Sequence, residues 1–205
     1  MAVQFQGNAG VTAEVDEARN LNINDIVIPG YPSAGGFYSV TGFTTAVVAA
    51  SLASTTTLAA ARFATGSTRK AYVVRLRVMM NLATAGAAGG IPTVLGLQRF
   101  TTATPTGGSA RTPDRMGPAK GSATDMTDVR DSNAALTVGS VVFGNVIAST
   151  LVPNGSTNVA PIEWMIDFPA PPELTAGDGV CLRTQNAGPA TATWNFQYNL
   201  YWFER

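Results

Sequence analysis

The sequence predicts an all-β fold, a jelly-roll-like antiparallel β-sandwich with an extended N-terminal arm, and three observations carry that prediction. The closing stretch, 192–204, alternates Trp194, Phe196, Tyr198, Leu200 and Trp202 with Thr193, Asn195, Gln197 and Asn199. That period of two belongs to a pleated strand with one buried face. Ala, Thr, Gly and Val dominate the 205 residues while Lys occurs only at Lys70 and Lys120, a vocabulary of strands and turns. Eight core segments of strand character follow one another with turn signals between them and no βαβ alternation, and the usual eight-stranded sandwich is a jelly roll.

Residues 1–36 read as the arm and residues 37–205 as the sandwich domain. Within the arm, Val11–Asp16 and Leu21–Asn24 alternate apolar and polar residues and predict two short strands. Pro29, Pro32, Gly35 and Gly36 then break the chain before the core begins. The arm's apolar residues are too sparse for a core of their own and too numerous for a solvated tail. Two readings therefore stand, an arm packed along its own domain and an arm reaching a neighbouring subunit.

The first core strand is Phe37–Phe43, and a second lies near Leu58–Ala64 after a run of Thr and Ala that β-branching turns away from helix. In Ala71–Met80, Tyr72, Val74, Leu76, Val78 and Met80 share one face, with Arg75 and Arg77 on the other. Thr93–Phe100 is the next strand. The Gly- and Pro-rich connection 101–123 is long for a compact domain and so a candidate functional loop. Asp125, Asp128 and Asp131 fall at spacing three, predicting a short helix with acidic residues near its start. The EF-hand pattern of calcium loops is missing there. Leu136–Ala148 is a strand with a bulge near Gly139 and Gly144. Pro153–Gly155 turns the chain into Pro161–Phe168, whose Ile162, Trp164, Ile166 and Phe168 point inward. After Pro169, Pro171 and Pro172, the turn Ala176–Gly179 leads into Val180–Thr184, and Gly188 with Pro189 precedes the final strand.

The 13 basic and 13 acidic residues cancel. No basic field exists to attract nucleic acid or anionic lipid, and no apolar run is long enough to cross a bilayer. Histidine is absent, which removes Ser-His-Asp and Cys-His nucleophile systems and His-ligated zinc. One cysteine, Cys181, excludes an intramolecular disulfide, and with no basic and apolar leader in view a reducing compartment is expected. Without a histidine to activate it, Cys181 reads as a small core side chain. No cofactor, metal site or catalytic residue is expected. So low a charge content suggests that much of the surface meets other protein.

The C-terminal third has a distinctive order: the strand Pro161–Phe168, a Pro-rich link to Leu174, the Gly177-Asp178-Gly179 turn, a short strand, then Gly188-Pro189 and a strand ending Tyr201-Trp202-Phe203-Glu204. The early run Gly36–Val40, followed by small residues from Leu52 to Phe63, fits the same pattern. Together these resemble structural proteins of tailed-bacteriophage virions, with a longer 101–123 connection as the departure. The resemblance implies a head decoration or cement protein. Such a protein would be assembled in the host cytoplasm, sit on the outer capsid surface, bind the major capsid protein and associate with itself, often as a trimer.

A non-enzymatic virion structural protein is thus the leading expectation. Its subunit-interface candidates are the apolar residues Phe5, Leu21, Ile23, Ile26, Ile28 and Tyr31 of the arm, with Tyr201 and Phe203, the two aromatics that break the polar face of the last strand. A tail, neck or fibre-base component is the second reading, with Tyr201 and Phe203 stacking on carbohydrate. A polysaccharide hydrolase is the third, since sandwiches host enzymes too. It would draw its two carboxylates from Glu163, Asp167, Glu173 and Asp178, with Glu163 and Asp167 on one strand face rather than opposed.

Overall fold

The computed structural model describes residues 4–6, 12–15, 21–22, 36–44, 47–48, 53–84, 93–101, 103–116, 123–152, 162–187 and 193–205. The chain divides into two compact units, Met1–Ser33 and Ala34–Arg205. In the first, β1 (Gln4–Gln6), β2 (Thr12–Val15) and β3 (Leu21–Asn22) form an antiparallel sheet in that order.

The second unit is all-β among its described residues. Its strands begin with β4 (Gly36–Phe43), β5 (Val47–Val48), β6 (Thr57–Phe63), β7 (Ala71–Thr84) and β8 (Thr93–Thr101). The next are β9 (Ser109–Arg111), β10 (Asp114–Met116), β11 (Met126–Asp131) and β12 (Ser140–Val152). The last are β13 (Ile162–Asp167), β14 (Glu173–Leu174), β15 (Gly179–Thr184) and β16 (Thr193–Glu204). One sheet, sheet I, runs β10-β4-β16-β7-β13, with β14 also on β7 and β5 on β16; the other, sheet II, runs β12-β8-β15-β6-β11-β9. Every strand pairing in both sheets is antiparallel.

Large side chains of sheet I meet a mixture of large and small ones of sheet II in one core. From β16 come Trp194, Phe196, Tyr198, Leu200 and Trp202, all buried, as their alternation predicts. From β6 come Leu58, Ala59, Ala61 and Phe63, joined by Leu95 and Leu97 of β8 and by Val180 and Leu182 of β15. Alanines at the middle of β6 leave room for rings arriving from the opposite sheet. Gly42 of β4 is small for a similar reason, because a Cβ there would overlap the carboxylate of Asp131 and the ring of Tyr198. A second, smaller apolar cluster joins Ala60, Phe100, Leu136 and Cys181.

Two sequence expectations are corrected. Residues 126–131 form a strand rather than a helix, pairing with β6 on one side and β9 on the other. Val129 and Met126 enter the core, and that burial outweighs the helical spacing of the aspartates. Strand β7 also does not keep one parity. Tyr201 pairs with Arg75 but Trp202 pairs with Val73, so Val74 is an extra residue, a bulge. Beyond it, Ala71 and Val73 face the core, while Tyr72 lies on the other face, stacked on Phe203. The carbonyl of Val74 is still satisfied, accepting from the amide of Phe168 at 2.9 Å.

Past Trp202, the next inward residue of β16 is Glu204, whose side chain has no solvent exposure. Burying a carboxylate is tolerable only when it is paired and hydrogen-bonded. Arg69 supplies the charge at 3.0 Å, and the amide of Asp125, the hydroxyl of Thr124 and the indole of Trp202 donate hydrogen bonds. Arg69 also bonds Asp125, which accepts from Ser67 as well. The hydrogen bond from Arg69 outweighs burial and, with Ser67, holds the Asp125 carboxyl below its ordinary value.

Removing Arg69 would leave Glu204 buried without its cation, so Arg69→Met should lower stability by about 3–5 kcal/mol. In urea unfolding, the double variant with Glu204→Gln should recover part of that loss, a coupling of about 0.5–3 kcal/mol; strictly additive losses would deny the pairing. Because the folded pKa of Asp125 is depressed, its contribution is complete above the unfolded value of 3.8 and is lost as pH falls through the lower folded value. Asp125→Asn should therefore flatten the acid limb of the stability profile below that pH, leaving its shape near neutrality unchanged.

Candidate interaction surface

The outer face of sheet I presents the odd-numbered residues of β16. Directly across the ladder, Tyr201 stands between Ser39 and Arg75, and Gln197 between Phe43 and Met79. On β13 the outward residues are Glu163, Met165 and Asp167, facing Met79, Arg77 and Arg75. The edge strand β10 adds Asp114 and Met116, opposite Ser39 and Phe37. Phe43 and Met165 are more than half exposed and Met116 is 42% exposed. Large apolar side chains thus recur on a face that also holds amides, hydroxyls and paired charges.

Apart from Asp114, the charges of this face are matched within it. Arg75 bonds Asp167 and Arg77 bonds Glu163. The hydrogen bond from Arg77 lowers the Glu163 carboxyl below its usual range. Such exposed pairs contribute little to stability, but they remove net charge from the face and so lessen its repulsion of an apolar partner.

The two aromatics singled out on the last strand separate. Tyr201 is half-buried, its ring 6.4 Å from that of Phe37 and 6.0 Å from the Arg75 guanidinium. It remains on the outer face. Phe203 is only 5% exposed and stacks on Tyr72 with ring centroids 4.7 Å apart, so it is packing within the subunit rather than an open contact. The bulge at Val74 brings that partner under it. The carbohydrate reading loses one of its two platforms by the same fact.

In the arm, Phe5 lies in β1 and Leu21 in β3, while Ile23, Ile26, Ile28 and Tyr31 fall outside the described residues. Phe43, Met116 and Met165 were not singled out from the sequence. The signal for Met165 was its outward parity between Glu163 and Asp167; Phe43 and Met116 become outward only through the register of β10, β4 and β16.

The four hydrolase candidates are each engaged by a base. Besides the two pairs on β13, Glu173 bonds Lys70 at 2.8 Å and accepts from the Tyr72 hydroxyl. Asp178 bonds Arg99 and accepts from the amide and hydroxyl of Thr175. Burial pushes the Asp178 carboxyl up, but the bonds from Thr175 and Arg99 outweigh it and its pKa ends lowered. A general acid needs the opposite, a carboxyl kept protonated by a raised pKa. Asp125, Asp128 and Asp131 likewise each meet a different arginine, Arg69, Arg62 and Arg111. No group of three or more His, Cys, Asp or Glu residues that could hold a metal ion occurs among the described residues. Cys181 is buried, and desolvation pushes its thiol up to about 12, far from a thiolate nucleophile near neutral pH.

Phe203→Ala should cost about 3–5 kcal/mol of stability, as loss of a buried ring does, whereas Met165→Ser should stay within about 0.5 kcal/mol of the parent. Equal midpoints for the two variants in thermal and urea unfolding would contradict this division of the surface. Comparison with protein-family models, with curated proteins and with solved structures yields no match to this chain.

Proposed function

We propose that this protein is a non-enzymatic virion structural protein, a decoration or cement protein that binds the major capsid protein and itself, as a trimer, on the outer surface of a tailed-bacteriophage head. The observation that carries the reading is the outer face of sheet I. Phe43, Met116 and Met165 are exposed there, between arginines whose charges are already neutralised by Glu163 and Asp167. A face so composed suits burial against protein, where aromatic and Met side chains contribute most and uncompensated charge is excluded.

The strand order supports the same reading at the level of architecture. Counting β4, β6, β7, β8, β12, β13, β15 and β16 as one to eight, sheet I runs 1-8-3-6 and sheet II 2-7-4-5. We read that order as a jelly roll's, an architecture of viral capsid domains and also of lectins. Fold alone leaves the role open. The resemblance of 36–63 and 161–204 to phage virion proteins selects the capsid role. Symmetry would then multiply contacts that are individually weak.

Purified virions should contain the chain in many copies by mass spectrometry, and light scattering should find the isolated chain as a trimer. Phe43→Asp with Met165→Asp should release it from particles at least tenfold more readily while leaving its stability within about 0.5 kcal/mol of the parent. Particles free of the chain would end the assignment.

A further inference from the structure

Arg115 is the one described arginine whose side chain makes no hydrogen bond or ion pair. Arg62, Arg69, Arg75, Arg77, Arg99 and Arg111 each meet a carboxylate. Arg130, Arg183 and Arg205 donate to Gly107, Thr55 and Tyr72. The Nε of Arg115 is shut off from solvent and has no acceptor. A buried donor left unmade is costly, and Arg99 Nε and Trp194 Nε1 share that condition; Arg115 differs in that none of its guanidinium nitrogens has an acceptor.

Its position in the sheet shows where that acceptor would come from. Arg115 lies on β10 in register with Tyr38, whose ring stacks on Trp202 in the core. The arginine therefore shares the inward face of an edge strand. It lines an open cleft of about 380 Å³ with Tyr38, Arg111, Thr112, Thr124 and Thr127. Arg111 is already committed, bonding Asp131 at 2.7 Å and the carbonyl of Phe43 at 3.1 Å. The uncompensated charge in the cleft is thus a single guanidinium. One carboxylate balances it, whereas a phosphate dianion would leave excess negative charge in the cleft.

The neighbouring backbone favours a peptide over a free acid. Strand β10 ends sheet I and, among the described residues, pairs only with β4, so none of them occupies its far edge. An incoming extended segment would place alternate side chains toward the cleft. We propose that this cleft binds an extended peptide segment of a partner protein that carries one acidic residue, with Arg115 holding the carboxylate through its two Nη groups in a bidentate pair. The proposal rests on the cleft alone, independently of the virion assignment.

The test uses the full chain and a fluorescein-labelled peptide of sequence Thr-Val-Glu-Val-Thr, followed by anisotropy and by the side-chain Nε–Hε resonance of Arg115 in NMR. Saturable binding is expected, with that resonance shifting on titration. Replacing Glu by Gln in the peptide, or Arg115→Gln in the protein, should weaken binding about tenfold or more, and Arg115→Lys should restore part of it. An unchanged unfolding midpoint for Arg115→Gln shows that the loss is local. Equal binding of the Gln peptide, or no shift of the Arg115 resonance, overturns the proposal and leaves Arg115 as a charge guarding a strand edge. Glucuronate or inorganic phosphate competing as well as the peptide overturns the peptide assignment too.

Discussion

The structure depends on packing five large side chains of β16 against a partner sheet that gives up bulk at Ala59 and Ala61 to receive them. Strand β16 is central in its sheet, flanked by β4 and β7, and its inward residues run from Trp194 to Trp202 without interruption. Opposite them, Ala59 and Ala61 of β6 are small where β-sheet preference alone would favour Val or Ile. Large against small keeps the two sheets near their usual spacing while filling the layer between them. A bulky residue in the middle of β6 would force a ring of β16 out of its rotamer or the sheets apart.

That packing then dictates where polar groups can go. Glu204 continues the inward parity of β16 past Trp202, so the strand carries a carboxylate to the margin of the core, where Arg69 and three hydrogen-bond donors meet it. Asp131 shows the same logic at β11. It is nearly inaccessible, paired with Arg111 and accepting from the amide of Phe43, so one side chain ties sheet II to sheet I. Breaking either pair would strand a buried charge, which is why each is fully partnered.

The eight core strands were legible because their alternation is strong and Gly or Pro punctuates them, and the inward face of β16 was legible residue by residue. What was hidden is what depends on another strand. The bulge at Val74 exists only as a register shift between β7 and β16, yet it decides that Tyr72 faces outward and that Phe203 is covered. The aspartates 125, 128 and 131 suggested a helix because their spacing is local information, while the arginines that pair with them lie far away in sequence. Phe43 and Met116 became part of one face only once β4 was paired with both β10 and β16.

A formal charge of zero concealed a pattern of its own. Every carboxylate in residues 34–205 except Asp114 is ion-paired within that unit. Pairing this complete does little for stability where the pairs are exposed, as at Arg75 and Arg77. Its effect is on recognition, since a surface with few uncompensated charges has a weak long-range field and selects partners by shape and by the few groups left unpaired. On such a surface an exposed Met or Phe meets little opposing charge, and the few unpaired groups, such as Asp114 and Arg115 of β10, stand out. Arg115, at a strand edge and without an acceptor, is the group at which charge rather than shape would choose the partner.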